Sequence, residues 1–112
     1  MKFIFIIFLF LVNLANLNAN NTILLTNEEK EFLKNNQPIR LHNEKNWPPY
    51  NFNEYDIPKG FSIDYMNLVA QKLDIQVKYI SGYSWDEFME MLKKNELDVI
   101  INIAKNKERE VF

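Results

Sequence analysis

Apolar residues along this chain switch between two spacings, and that alternation limits the fold more than any single motif does. Ile39-Arg40-Leu41-His42 alternates apolar and polar residues, the period of a strand. In "IDYMNLVAQKL", Tyr65, Met66, Val69 and Leu73 then recur at helical spacing, with Ser62 placed to cap the helix and Asp64 in its first turn. "IQVKYI", residues 75–80, alternates again and is rich in β-branched side chains. Ser84-Trp85-Asp86-Glu87 reads as a capping box, and Trp85, Phe88, Met89 and Leu92 follow on one helical face. "VIINIA", residues 99–104, is an apolar run of strand length. Strand, helix, strand, helix, strand implies an α/β fold with parallel pairing and right-handed crossovers.

The flanks add smaller elements. Thr26-Asn27-Glu28-Glu29 is a second capping box, which predicts a short helix carrying Phe32 and Leu33 and stopped by Asn35-Asn36-Gln37-Pro38. Lys93 and Lys94 suit the end of the 84–94 helix, and Asn95 suits the left-handed residue that closes it. Residues 43–60 are expected to be a loop with a turn at Pro58-Lys59-Gly60. "NKEREVF" reads as the opening of a further helix.

Residues 1–19 read as a secretory signal peptide: Lys2 gives a basic tip, Phe3 to Val12 is unbroken apolar sequence, and Ala19 is a small residue at the expected cleavage point. An uncleaved membrane anchor is the alternative if the apolar stretch is counted through to Leu17. Residues 20–112 then form one small folded unit exposed outside the cytoplasm, in the periplasm or its equivalent. The chain has no cysteine and one histidine, so it lacks a disulfide framework and the ligands of a zinc site. Its net charge of −2 argues against a nucleic-acid surface.

In α/β units, ligands gather where loops leave the carboxyl ends of strands. Two unusual loops lie there. "NWPPYNF" follows the first strand, and its prolines hold Trp47 and Pro48 in extended conformations. Trp47 is therefore a candidate stacking platform, with Tyr50 and Phe52 behind it, although a ring beside prolines commonly only caps a core edge. "AKNKER" follows the third strand, and Arg109 offers a fork of donors that matches a carboxylate. A helix start near Asn106 would favour the same anion, while pairing with Glu108 or Glu110 is the plainer alternative. No nucleophile, base or metal constellation is present, and no catalytic residue or cofactor is expected.

From about Leu25 onward the chain resembles the amino-terminal lobe of family 3 periplasmic solute-binding proteins, which have the type 2 periplasmic-binding, or Venus flytrap, fold. "WPPYNF" is similar to the family's first-loop motif, "GFSIDYMNLVAQKL" to its Gly-aromatic-x-x-Asp helix start, and "ELDVIINIAKNKERE" to its third-strand segment ending in Thr-x-x-Arg. The resemblance implies a three-stranded parallel sheet in the order second–first–third. It implies that Trp47 stacks on the solute, with Tyr50 beside it. Asn102, Ala104 and Asn106 would contact its backbone-like end, and Arg109 would pair with a carboxylate. Asn106 stands where the motif prefers Thr, Lys107 where many members have Pro, and Ala104 where a hydroxyl is common, which broadens the expected solute from an amino acid to a small polar or anionic molecule. The implied partners are that solute and either a membrane permease or a fused signalling domain. The lead-in "LTNEEKEFLKNNQPIRL" resembles that of sensor modules joined to histidine kinases or diguanylate cyclases. An enzyme on the same scaffold, such as a dehydratase, would need acid or base groups that these segments do not supply. On this resemblance residues 20–112 are part of a first lobe, and tight binding by this stretch alone is not expected, because cleft closure needs two walls.

Overall fold

The computed structural model describes residues 23–111, so the signal-peptide expectation for residues 1–19 lies outside the described residues. Helix α1 spans Asn27–Asn35 and starts at the expected box: Glu29 N–H donates to Thr26 Oγ1 (3.2 Å), and Thr26 N–H donates to Glu29 Oε2 (2.7 Å). Strand β1, Ile39–His42, lies parallel to Val77–Ile80, with Ile39 opposite Val77 and His42 opposite Ile80. On its other side, Leu41 makes a parallel bridge to Val99. The second–first–third order therefore holds, with the first strand in the middle.

Both Leu41 and His42 are buried, although they point to opposite faces, because this central strand is covered on both sides. Two crossover helices, Phe61–Leu73 and Trp85–Lys93, supply Ile63, Ala70 and Phe88 to the core, and Leu97 completes it. The second of these helices opens on the Ser84–Glu87 capping box, as its sequence predicts. Asn95 follows it with φ 57°, the expected left-handed residue.

The third strand is shorter than its apolar run suggests. Pairing stops at Val99, whose N–H donates to the Arg40 carbonyl (3.1 Å) and whose carbonyl accepts from His42 N–H (3.0 Å). Two residues on, Ile101 N–H turns to the His42 ring nitrogen Nδ1 (3.0 Å) instead of a strand carbonyl. A side chain thus takes the ladder's next donor, and residues 100–104 leave the sheet.

Residues 43–60 hold more structure than a loop. Short strands β2 (Asn46–Trp47), β3 (Asn51–Glu54) and β4 (Ile57–Lys59) form an antiparallel meander in that order. Trp47-Pro48-Pro49-Tyr50 is its first turn, closed by Tyr50 N–H donating to the Trp47 carbonyl (2.9 Å). The second turn places Tyr55 and Asp56 at φ 53° and 61°, where Asn or Asp before Gly would be usual. With β4 so numbered, the parallel partner Val77–Ile80 is β5, and the crossover helices are α2 and α3.

Ser62 does not cap α2. It is buried inside the first turn, and Gly60 at φ 113° is the residue before the helix. The free N–H groups are met by the hairpin: Phe61 N–H donates to the Pro49 carbonyl and Ser62 N–H to the Tyr50 carbonyl, both at 2.9 Å. The aromatic turn and α2 are thereby one unit. At the far end, Lys107–Val111 forms a 3-10 turn and not an α-helix. Among the described residues no helix is long and apolar enough to cross a membrane.

Candidate functional site

The meander leaves the carboxyl end of β1, and residues 100–109 leave the sheet after Val99, so both unusual segments emerge at the same edge of the parallel strands. In the first segment, the Trp47 and Tyr50 rings meet edge to face with centroids 5.8 Å apart. Both stay about half exposed, which is what a stacking surface requires. Phe52, one strand position further, is partly covered and belongs to the meander.

In the second segment, Ala104, Asn106 and Arg109 form a closed local unit. Asn106 Oδ1 accepts from Arg109 N–H (2.9 Å), so Asn106 fills the cap that Thr would fill in the motif it resembles. Arg109 Nη1 donates to the Ala104 carbonyl (2.9 Å). Its guanidinium carbon lies 5.1 Å from the centre of the Trp85 ring. One of five donors is used in that bond, leaving the rest of the fork for an anion. The acidic neighbour Glu110 pairs with Lys105 (3.2 Å), not with Arg109.

Between the two segments lies a buried polar cluster. Asn51 Oδ1 accepts from Asn43 Nδ2 (2.7 Å) and from Glu44 N–H (3.1 Å), and Asn51 Nδ2 donates to Asn102 Oδ1 (3.1 Å). Beside it, His42 is fully buried and packs edge to face against Trp85 (5.9 Å) and Phe88 (5.2 Å). Because Nδ1 accepts from Ile101, the ring carries its proton on Nε2, which stands 3.8 Å from Glu44 Oε1. Burial pushes the His42 pKa down to about 4 and pushes the Glu44 carboxyl up.

The six residues singled out from sequence thus fall into two groups. Trp47 and Tyr50 meet each other, and Ala104, Asn106 and Arg109 meet one another. Asn102 is turned toward the first group through Asn51. A groove of ≈ 490 Å³ between α3 and the second segment is lined by Met89, Leu92, Ala104, Asn106 and Arg109 among others, and Trp47 and Tyr50 are not part of it. Trp85, His42, Asn43 and Asn51 escaped the sequence reading as site residues. Trp85 fits an ordinary core position in a helix, and the asparagines sit in a stretch whose meander carries no usual turn signal. Among the described residues no group of His, Cys, Asp and Glu could hold a metal ion.

Residues 39–111 match the family model described as bacterial extracellular solute-binding proteins, family 3. No curated protein sequence matches the chain. Among solved structures, it is similar to a mutant of the arginine-bound form of domain 1 from TmArgBP, at 24% identity and a TM-score of 0.64, covering 73% of this chain and 64% of that one. It is also similar to the L-cystine solute receptor of Neisseria gonorrhoeae in the unliganded open conformation (24% identity, TM-score 0.58, 65% and 32% covered). A mutant of ArgBP from T. maritima is comparable, at 23% identity, a TM-score of 0.63, and 73% and 36% covered. At these identities the likeness shows the fold. The chain spans about a third of the two longer structures and 64% of the single domain.

Proposed function

This chain belongs to the bacterial extracellular solute-binding proteins of family 3, and from that premise we propose that the edge bearing Trp47 and Arg109 is one wall of a cleft for an amino acid or a related small carboxylate. The observation that carries the reading is Arg109. Its position is fixed by Asn106, the Ala104 carbonyl and the Trp85 ring, and most of its donors remain free to meet an anion bidentately. The half-exposed Trp47–Tyr50 pair supplies an apolar or cation-binding face for the other end of the solute. Proteins of similar fold that are described as arginine-bound, as an L-cystine receptor and as a cationic amino acid binder agree with an amino-acid class. In this reading the chain acts outside the cytoplasm after export by residues 1–19, and its role is to hold solute for uptake through a membrane permease or for sensing.

The test is to titrate the chain with a panel of L-amino acids and small dicarboxylates, following amide and indole shifts by NMR. The expected result is one-to-one binding weaker than about 1 μM, because a single wall leaves the polar contacts wet. Shifts should concentrate at Trp47, Tyr50 and residues 104–109, and Arg109→Ala should abolish them. A folded protein whose shifts respond to none of these solutes would sink the reading.

A further inference from the structure

The third strand gives up its ladder at Val99, yet the residues that present Arg109 come after it. Something other than sheet pairing must hold residues 100–109 in register with the aromatic hairpin. Ile101 N–H is anchored on His42, and Arg109 rests over Trp85, but both of these contacts tie the segment to β1 and α3. The side-chain hydrogen bond to the hairpin is Asn51 Nδ2 to Asn102 Oδ1, at 3.1 Å.

We propose that Asn51 is a positioning residue that couples the two halves of the site, and that Asn102 is its brace and not a side-chain contact for the solute. Asn51 begins β3 and is the cross-strand partner of Trp47, so its backbone already sets the hairpin that carries the ring. Its side chain is fully buried and ties two other segments to its own hairpin: the β1 exit at Asn43 and Glu44, and Asn102.

The direction of each amide follows from one unambiguous donor. Glu44 contributes a backbone N–H, so the Asn51 atom facing it must be oxygen. The other end of Asn51 is then NH2, and the Asn102 atom that meets it must also be oxygen. The Asn102 oxygen is thereby committed inside the protein, and its Nδ2 is buried with no protein partner. A side chain held so, with both ends away from solvent, cannot reach across to a solute without leaving Asn51. The cluster is a chain of neutral, desolvated hydrogen bonds, in which losing one partner leaves others orphaned.

This inference rests on the solute-binding reading for its functional meaning, but its structural core can be checked without a solute. Hydrogen exchange of the 112-residue chain would be followed in wild type, Asn102→Ala, Asn102→Asp and Asn51→Leu. Asn102→Ala removes the acceptor, and exchange at residues 101–109 should rise about 10-fold while α2 and β5 keep their protection. Asn102→Asp retains an oxygen for Asn51 and should restore wild-type protection there. Asn51→Leu should loosen residues 101–109 and the 46–52 hairpin together; if it does not fold, the Asn102 pair still decides. L-Arginine titration of the same proteins supplies the second readout. Weaker binding in Asn102→Ala with recovery of protection in Asn102→Asp supports the coupling. Raised exchange in Asn102→Ala with no arginine binding by wild type supports the brace and counts against the solute reading. Unchanged exchange at 101–109 in Asn102→Ala, or equal loosening in Asn102→Asp, overturns the proposal.

Discussion

The guanidinium of Arg109 lies over the ring of Trp85, 5.1 Å from its centre, while one of its nitrogens donates to the Ala104 carbonyl. The ring and the carbonyl each hold one part of the fork in place. Arg109→Lys would replace that planar fork with a point charge that cannot pair bidentately. In a solute-binding chain this should cost roughly 1.5–3 kcal/mol of carboxylate affinity, measured by calorimetry. Trp85→Leu keeps an apolar helix face but removes the ring, and should cost about 0.5–1 kcal/mol. If Trp85→Leu proves as damaging as Arg109→Lys, the ring has a role in the site beyond support.

His42 should make stability depend on pH. Its folded pKa lies at about 4, below the ordinary 6.5, because burial desolvates the charged imidazolium. Between those values the unfolded chain binds the proton and the folded chain does not, so stability falls as pH drops from about 6.5 to about 4. The whole shift amounts to something on the order of 3 kcal/mol. Glu44, whose pKa burial raises above 4.5, works in the opposite direction just above that value. Urea melts at several pH values should show the fall, and His42→Asn, which can still offer an acceptor, should flatten it. A slope that survives His42→Asn would place its origin elsewhere.

The parallel sheet and both crossover helices were legible in the sequence because local signals and packing agree there. Both Thr26 and Ser84 capping boxes form, and Asn95 is left-handed as its residue type suggests. The legible signal failed where a distant group replaced a local one. Ser62 looks like a cap, but the carbonyls of Pro49 and Tyr50 meet the helix donors instead. Residues 99–104 look like a strand, but a histidine from β1 takes the donor at Ile101. The β3–β4 turn uses Tyr55 and Asp56 where a glycine would have announced it. Likewise, Trp47 and Arg109 stand out from their loops as candidates, whereas the link from Asn51 to Asn102 joins residues 51 positions apart in sequence.

Asp98 closes the sheet by pairing twice with β1. Its Oδ2 accepts from the Arg40 backbone N–H (2.7 Å) and from Nε (2.9 Å), and its Oδ1 accepts from Nη2 (2.6 Å). The Arg40 side chain holds the Asp98 carboxyl below its usual pKa. The stabilisation is therefore present above about pH 3.8 and is lost as pH falls through the lower folded value. Asp98→Asn should lower the melting temperature more than Glu90→Gln, which weakens the exposed Lys93–Glu90 pair within α3. Equal shifts for the two variants in calorimetric melts would mean that the Asp98 link is as dispensable as a surface pair.

The strictest sequence requirement falls on Gly60, where α2 meets the aromatic turn. Its φ of 113° is already unfavourable for any residue with a Cβ. A Cβ there would also stand 2.4 Å from the Tyr50 carbonyl oxygen and 2.9 Å from that of Pro49. These carbonyls are the ones that accept from Ser62 and Phe61 N–H, so the hairpin cannot retreat without uncapping the helix. Gly82 provides the control, since its φ of 98° is comparable but a Cβ there meets nothing within 4 Å. Gly82→Ala should cost about 1–2 kcal/mol from backbone strain alone. Gly60→Ala should cost about 3 kcal/mol or more, and in a folded remnant it should disturb the Trp47 indole signal, because the clash pushes on the turn that carries that ring. Similar urea midpoints for the two variants would show that the hairpin yields to α2, and that Trp47 is not held by the contact at Gly60.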